Sequence, residues 1–379
     1  MIFQINKNTS CLIQSFHFSS IIIFHKKKIQ GAKLINKIIK KALNEENLEK
    51  NEVLDLFKSS SLEDGIKLFE AASEIRNSNK KMIKLTSTVH LTNVCKITPK
   101  CMYCGFAAKT SSEGYYNSFS KTEDEIISAI RSIEESGIPR VSCSGAHGFD
   151  GKHAVQAAKL VKENTNLELL INVGSDLNMD ALQKLAEYQT DTVCCNLETI
   201  NKNLFNQLKP GEMLKNRLMV CKMVNDLNIE LSSGLLIGIG ESYLDRVNHL
   251  FFLKEFSTLG EVPIMGFNPY LDTPMEDHPP CSLIEQMKTI AIARLLFPHL
   301  RITVPAPTIG PENVKFSLMA GADNVATVIP DNYPLNVKGV GSPRYGNMNE
   351  VVNTIEELGL IPQIKETICP VKEVGITEI

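Results

Sequence analysis

The sequence has no apolar run long enough to cross a bilayer, which takes about 20 residues of helix. Near its beginning the longest such stretch is Ile21–Phe24, and no small-residue cleavage site follows it, as one would in a secretory signal peptide. Neither sign of charge is in excess, because 40 basic residues face 43 acidic ones. That balance argues against a nucleic-acid coat or a polybasic membrane anchor. We therefore predict a cytoplasmic protein with neither a membrane nor nucleic acid among its partners.

Cysteine, in contrast, is well represented. Ten cysteines occur in 379 residues, and three of them are clustered. Because the cytosol keeps thiols reduced, clustered cysteines in a protein of this kind indicate metal ligands before disulfides. The length and the apolar content of 43% suit one α/β barrel with a terminal extension.

Four regions follow from the hydrophobic pattern. Residues 1–30 show no period and predict a poorly structured leader, and residues 31–83 contain helical patterns, among them Leu62–Ile75. Residues 84–345 alternate strand-like and helix-like segments, as βα units do, and residues 346–379 hold a last helix and a tail.

Eight strand-like runs lie in the alternating region. They are Lys84–Leu91, Arg140–Cys143, Glu168–Val173, Thr192–Asn196, Glu230–Ile237, Pro263–Phe267, Arg301–Val304 and Asn324–Val328. Eight strands with helices between them predict an α/β fold, a closed (β/α)8 TIM-type barrel with an N-terminal helical extension. An open doubly wound sheet is the alternative. In such barrels the chemistry is found at the carboxyl ends of the strands.

Cys95, Cys101 and Cys104 follow the first predicted strand. Three thiolates on one loop can hold three irons of a [4Fe–4S] cluster and leave the fourth iron without a protein ligand. A zinc knuckle or a chance grouping is the alternative. Zinc sites that only support a fold are usually closed by four ligands, and no fourth Cys or His lies beside this group. The aromatic Tyr103 and the position after the first strand favour the iron–sulfur cluster.

From this motif on, about residues 60 to 345 resemble the biotin-synthase-like branch of the radical S-adenosylmethionine (SAM) superfamily. The resemblance implies two cofactors, a [4Fe–4S] cluster and SAM, whose reductive cleavage gives a 5′-deoxyadenosyl radical that takes hydrogen from a small-molecule substrate. It also implies an electron donor such as ferredoxin or flavodoxin. Five residues separate Cys95 from Cys101, where the common motif of the branch has three. That spacing is similar to the HmdB family, which is assigned to biosynthesis of the iron-guanylylpyridinol cofactor of [Fe]-hydrogenase.

The resemblance also implies SAM contacts at the strand ends. They are Tyr103 beside the cluster, Ser144 and Gly145 for the amino group, Asn196 and Glu198 for the ribose hydroxyls, Arg217 for the carboxylate, and Gly238 and Ile239 against the adenine. Each has a simpler explanation, since Glu198 could cap a helix, Arg217 could be solvated and the glycines could only turn the chain. Their shared order at strand ends favours a SAM site. No catalytic residue is identified by the resemblance.

Biotin synthase carries a second cluster inside its barrel, and its ligands map here to Cys143, Leu170, Ser232 and Arg301. With one thiol of three, that cluster is not expected, and biotin synthesis is improbable. Another branch member, similar to the [FeFe]-hydrogenase maturases or to carbon-skeleton mutases, remains an alternative. A non-catalytic iron–sulfur electron-transfer protein is the alternative from a different class, but it would need no SAM residues such as Glu198 and Arg217.

Overall fold

The computed structural model describes residues 31, 33–78, 81–107, 118–334 and 346–365. The predicted leader at 1–30 and the last part of the predicted tail, from residue 366, lie outside the described residues. In the described ranges no helix is both long and apolar enough to cross a membrane.

Eight parallel strand positions form a closed ring. The strands are β1 (Met82–Thr92), β2 (Arg140–Gly145), β3 (Glu168–Asn172), β4 (Thr192–Cys194), β5 (Glu230–Ser232), β6 (Leu235–Ile237), β7 (Leu259–Gly266), β8 (Arg301–Pro305) and β9 (Asn324–Ala326). Their order is β1-β2-β3-β4-β5-β7-β8-β9, and β9 pairs again with β1. This last pairing confirms the predicted barrel and excludes the open sheet.

The fifth position is divided between β5 and β6 because the chain comes too close to its neighbour for a side chain. A Cβ on Gly234 would lie 1.9 Å from the carbonyl oxygen of Pro263. After this close approach β6 continues along β7. The predicted strand Glu230–Ile237 is therefore interrupted by two residues that do not pair in either ladder.

Helices surround the strands and precede them. They are 33–43 (α1), Lys50–Lys58 (α2), Leu62–Ser78 (α3), Glu123–Glu135 (α4), Lys152–Asn164 (α5), Met179–Glu187 (α6), Lys202–Leu208 (α7), Leu214–Asp226 (α8), Tyr243–Leu253 (α9), Leu283–Leu296 (α10), Ala306–Ile309 (α11), Val314–Met319 (α12) and Met348–Glu357 (α13). The sequence determines where α4 begins, because Thr122 and Glu125 form a reciprocal capping box at its first turn. Its Ile126, Ile130 and Ile133 then face the barrel and are buried.

The described chain ends with a strand that the sequence pattern did not predict. Two short strands, β10 (Val328–Ile329) and β11 (Gly346–Asn347), pair beside the barrel before α13. After α13, β12 (Ile361–Gln363) pairs in parallel with Met82–Lys84, the first residues of β1. This segment of the predicted tail thus adds to the sheet at the amino-terminal end of the barrel.

Charged side chains from the first residues of several strands fill that same end of the barrel. Arg140, which is fully buried, lies 2.8 Å from Glu261 and 3.1 Å from Glu168. Arg301 forms an ion pair with Glu230 as well. A buried charge is tolerated when it is paired and hydrogen-bonded, so this network closes the barrel floor. The opposite, carboxyl-terminal end is left for chemistry.

Candidate active site

The loop that carries the three predicted cluster ligands leaves β1 and is held by backbone hydrogen bonds to three other loops. The Lys96 amide donates to the His147 carbonyl at 2.8 Å, and the Met102 amide donates to the Leu208 carbonyl at 2.8 Å. The Met275 amide donates in turn to the Met102 carbonyl at 3.1 Å. The cysteine loop is therefore fixed against the end of α7 and against the segments that follow β2 and β7.

The three thiols lie close enough to influence one another. Burial, together with the neighbouring Cys101 and Cys95, raises the pKa of Cys104 to about 11. Burial likewise raises the pKa of Cys101. Lys209 and the backbone amide of Phe106 act in the opposite direction and lower the pKa of Cys104. Among the described residues, no group of three or more His, Cys, Asp or Glu side chains is arranged to bind a single metal ion. A cubane needs no such arrangement, because each thiolate binds a different iron.

Lys209 lies over this loop. It is 5% exposed, and its Nζ is 3.9 Å from the Cys101 sulfur and 5.2 Å from the centre of the Tyr103 ring. It is also 3.8 Å from a carboxylate oxygen of Glu198 and of Glu212. Lys209 thus connects the cysteine loop to residues predicted to bind SAM.

Arg217 is held by a buried carboxylate that the sequence analysis did not identify. Its Nε and Nη2 donate to the two oxygens of Glu212 at 2.8 and 3.1 Å. Its Nη1 donates to the Asn196 carbonyl and lies 3.8 Å from Glu198. Although burial raises the pKa of Glu212, Arg217 and Lys209 lower it to about 2. Two of the five guanidinium protons are unused in these contacts and are available to a further acceptor. A SAM carboxylate at Arg217 remains a prediction.

Asn196 and Glu198 follow β4, which ends at Cys194, two residues before the end of the predicted strand. Glu198 has a left-handed φ of 64° and pairs with Leu235 of β6, which turns its side chain toward Lys209 and Arg217. The Asn196 Oδ1 is buried with no hydrogen-bond partner among the described residues, and so is the Tyr103 hydroxyl. Such orphaned buried groups point to a polar ligand at this place.

Gly238 and Ile239 form the turn after β6. Their amides donate to the Glu241 carboxylate, both at 2.9 Å, and Arg246 binds the same carboxylate. Ile239 packs in a small apolar cluster that Tyr103 borders. The cluster consists of Leu208, Leu236, Ile239 and Phe267. This turn therefore offers an apolar face and carbonyl oxygens, because its amides are already engaged.

Ser144 and Gly145 end β2, and the contacts described do not join them directly to Arg217. The Ser144 hydroxyl is buried without a partner among the described residues. The following loop reaches the group through His147, whose Nε2 accepts from the Ser175 amide at 3.2 Å and lies 3.9 Å from Glu212. Burial, together with the positive charge of Arg217, lowers the pKa of His147 to about 3. The imidazole is thus neutral, in keeping with its role as an acceptor.

The strand register corrects one assignment. Ser142, not Cys143, is the neighbour of Leu170 in the ladder, and it lies on the inner face together with Arg140. Cys143 belongs to the apolar core between the strands and the helices. On β4 the inner thiol is Cys194, which pairs with Ser232, whereas Cys195 packs outward against Cys221. The inward residues Ser142, Leu170 and Ser232 therefore carry no thiol.

Comparison with known proteins agrees with this geometry. The family model described as "Radical SAM superfamily" matches residues 89–253, and that of the "Biotin and Thiamin Synthesis associated domain" matches residues 263–361. The chain is 57% identical over 339 residues to "Uncharacterized protein MJ0785" of Methanocaldococcus jannaschii, with 89% of each chain covered. The chain belongs to the radical SAM superfamily. It is an enzyme of that superfamily, with homologues that are similar to biotin synthase.

More distant relatives have the same fold. It is 23% identical to 3-methylornithine synthase of Methanosarcina acetivorans, over 83% of this chain and 90% of that one. The crystal structure of methylornithine synthase (PylB) superposes with a TM-score of 0.77, at 21% identity, over 86% of this chain and 97% of that one. The maturase HydG of Carboxydothermus hydrogenoformans gives 0.76 at 16% identity, over 97% and 88%. These two structures share the fold.

The residues present fit the cofactors that the superfamily implies. Three soft thiolates on one loop suit an iron–sulfur cluster. The orphaned Tyr103 hydroxyl and Asn196 oxygen, with the free protons of Arg217, suit a polar ligand beside it. Sequence analysis missed Lys209 and Glu212, although both lie in the segment that identified Arg217. Charged residues around the Pro210–Gly211 turn read as solvated until the fold shows them buried.

Proposed function

We propose that this radical SAM enzyme acts on a small organic precursor in the biosynthesis of the iron-guanylylpyridinol cofactor of [Fe]-hydrogenase. The observation that carries the proposal is the five-residue spacing between Cys95 and Cys101, which is similar to the HmdB family. The loop is long enough to place Lys96 and Met102 against separate neighbouring loops. These contacts hold the loop in a fixed position at the proposed cluster site.

In this proposal Cys95, Cys101 and Cys104 hold the cluster, and SAM binds beside it. When bound, the two cofactors supply a 5′-deoxyadenosyl radical that abstracts hydrogen from the substrate. Arg217 and Asn196 orient SAM through charge-assisted and amide hydrogen bonds. Glu198 accepts hydrogen bonds from the ribose hydroxyls, and the apolar face at Ile239 excludes water from the adenine side.

The interior of the barrel favours a substrate that is neutral or whose positive and negative charges cancel. The charges at the floor are already paired, since Arg140 binds Glu261 and Glu168, and Arg301 binds Glu230. Above them the inner face carries Ser142 and Ser232, whose small hydroxyl side chains leave room for an organic molecule. Among the described residues of β2, β3, β4 and β5, Cys194 is the one inward thiol, so these strands offer no set of thiol ligands for a second cluster.

Two experiments test the proposal at its two levels. First, anaerobically reconstituted protein is assayed for 5′-deoxyadenosine with dithionite, and Cys101→Ala serves as the inactive control. Second, the gene is deleted in an organism that makes [Fe]-hydrogenase, and guanylylpyridinol is measured by mass spectrometry. We expect the cofactor to disappear and to return with the wild-type gene but not with Cys101→Ala. Cofactor made at normal levels in the deletion strain rules out the hydrogenase role, whatever the first assay shows.

A further inference from the structure

Lys209 is a buried cation at the edge of the proposed cluster. It follows α7 directly, and its amide completes that helix by donating to the Phe205 carbonyl at 2.8 Å. The side chain then runs inward, so that only 5% of the residue is exposed. Burial of an ammonium group is costly unless negative charge and acceptors surround it.

The acceptors around Lys209 are only partly used. Within the described ranges, the one hydrogen bond from Nζ goes to the Cys101 sulfur at 3.9 Å. Glu198 and Glu212 each lie 3.8 Å from Nζ, which is close enough for electrostatic attraction but too far for a hydrogen bond. An ammonium has three donors, so two remain free to bind other acceptors.

The two carboxylates do not explain Lys209 by themselves. Glu212 makes its short contacts with Arg217, at 2.8 and 3.1 Å, and also accepts a hydrogen bond from Ser175. With Glu198, the four charged groups sum to zero only when Lys209 is present. The ammonium therefore removes a net negative charge that would otherwise lie beside the Cys101 sulfur.

We propose that Lys209 raises the reduction potential of the cluster, by placing a buried positive charge and an N–H donor on the sulfur of Cys101. The inference rests on the proposed cluster ligands. Reduction transfers one electron from an external low-potential donor to the cluster and adds one negative charge there. A neighbouring cation and an N–H···S hydrogen bond both stabilise that added charge. Lys209 is a positioning residue, since no bond to it forms or breaks.

The same contacts distinguish this role from a purely structural one. A purely structural ion pair would affect the stability of the cysteine loop and its retention of iron, but not the midpoint potential of a cluster that is retained. The distance to Cys101 and the ring contact with Tyr103 instead place the charge over the cysteine loop. The property to measure is therefore the midpoint potential of the cluster.

The test uses the full chain, reconstituted anaerobically, in a redox titration followed by electron paramagnetic resonance. Lys209→Met keeps an apolar stem and removes the charge, and Lys209→Arg keeps the charge. Lys222→Met is the matched control, because that lysine is exposed on α8 and pairs with Asp226. We expect Lys209→Met to be reduced about tenfold less favourably, which is a shift of about 59 mV to more negative potential for one electron. Lys209→Arg and Lys222→Met should stay close to the wild type.

A midpoint potential of Lys209→Met equal to that of the wild type overturns the inference. If Lys209→Met does not retain iron, Lys209→Gln is titrated in its place. The glutamine side-chain amide keeps an N–H donor but removes the positive charge. Loss of the cluster from both neutral variants, with retention in Lys209→Arg, shows that the lysine only supports the fold and also overturns the inference. A wild-type protein that takes up no cluster overturns the proposed function itself, so the two failures are distinguishable.

Discussion

The carbonyl oxygen of Pro99 lies only 2.2 Å from the position that a Cβ on Gly211 would take. The cysteine loop and the turn that leads to Arg217 thus meet backbone to backbone. Because the nearest opposing atom belongs to the main chain, as does the Thr98 carbonyl carbon at 2.7 Å, neither can rotate away from a larger residue. This contact joins the proposed cluster ligands to Lys209, Glu212 and Arg217.

We expect Gly211→Ala to displace the cysteine loop. Forcing a methyl group into a packed contact costs about 1–3 kcal/mol. The variant should therefore unfold at lower urea concentration and retain less iron than the wild type after gel filtration. Gly65→Ala is the control, since that glycine lies in α3 with nothing within 4 Å of its Cβ position. Wild-type iron content and stability in Gly211→Ala would show that the two loops do not depend on each other.

Replacing any one of Cys95, Cys101 and Cys104 by Ala should abolish the [4Fe–4S] spectrum or leave a labile cluster. In the proposed cluster each thiolate would bind a separate iron, so no remaining residue on the loop could substitute for it. Iron analysis and electron paramagnetic resonance measure the loss. Cys221→Ala is the control, because that thiol packs in the outer core against Cys195. A stable, complete cluster in any of the three variants removes that cysteine from the ligand set.

The pair Arg217 and Glu212 predicts a strong coupling in stability. Arg217→Met leaves a buried carboxylate without its partner, which costs about 3–5 kcal/mol. The double variant Arg217→Met/Glu212→Met removes both charges and should recover a large part of that loss. Urea unfolding of the four proteins measures the coupling energy. Additive effects would mean that the two side chains act independently.

A SAM contact at Arg217 is a separate prediction. Loss of a charge-assisted contact in a partly desolvated pocket costs about 2–3 kcal/mol, so calorimetry on a folded Arg217→Lys variant should show clearly weaker SAM binding. Arg217→Lys keeps a charge for Glu212 but cannot reproduce the two-pronged geometry. An unchanged dissociation constant would place Arg217 outside the SAM site.

His249 predicts a loss of stability on acidification. It is fully buried on α9, its Nε2 has no partner among the described residues, and burial lowers its pKa from 6.5 to about 3. The unfolded chain therefore takes up a proton that the folded chain refuses. Neutral His249 does not lower the free energy of unfolding above pH 6.5, and that free energy falls as the pH drops from 6.5 toward about 3. At pH 5 the loss relative to pH 7 is about 2 kcal/mol.

The test compares urea unfolding at several pH values for the wild type and His249→Leu. The variant should lose less stability between pH 7 and pH 5, because leucine does not titrate. Any general destabilisation from the change of shape shifts both ends of the curve and does not alter this difference. An equal pH dependence in the two proteins would contradict the assignment to His249.

The barrel could be predicted from the sequence because each strand carries its own local signal. In β1, polar Lys84, Thr86 and Thr88 alternate with buried Ile83 and Leu85, and helix-like segments follow at regular spacing. Strand β12 carries no such signal, since its three residues have no alternation and depend on pairing with β1. Local patterns cannot report a partner that lies far away in the chain.

The site shows the same division. Clustered cysteines and glycine-rich turns can be recognised in the sequence itself, so Cys95 and Gly238 could be predicted as site residues. The role of Lys209 depends on burial beside Cys101, 108 residues away, which no spacing encodes. Cys143 was misplaced for a related reason. A cysteine suggests a metal ligand, but a shift of one residue along a strand moves a side chain to the opposite face of the sheet.

That correction sharpens the last prediction, that the protein holds a single cluster. Ser142, Leu170 and Ser232 occupy the inner face where a second cluster would need ligands. Leucine has no metal-binding group, and a serine hydroxyl resists deprotonation at neutral pH. Fully reconstituted protein should therefore contain about four irons per chain. Iron and sulfide analysis with Mössbauer spectra measures this, with Cys194→Ala as the critical variant, because Cys194 is the inward thiol at the end of β4. Cys143→Ala is its matched control in the outer core. A [2Fe–2S] component that disappears with Cys194 but persists without Cys143 would show that the barrel holds a second cluster, and sulfur insertion would then become the leading reaction.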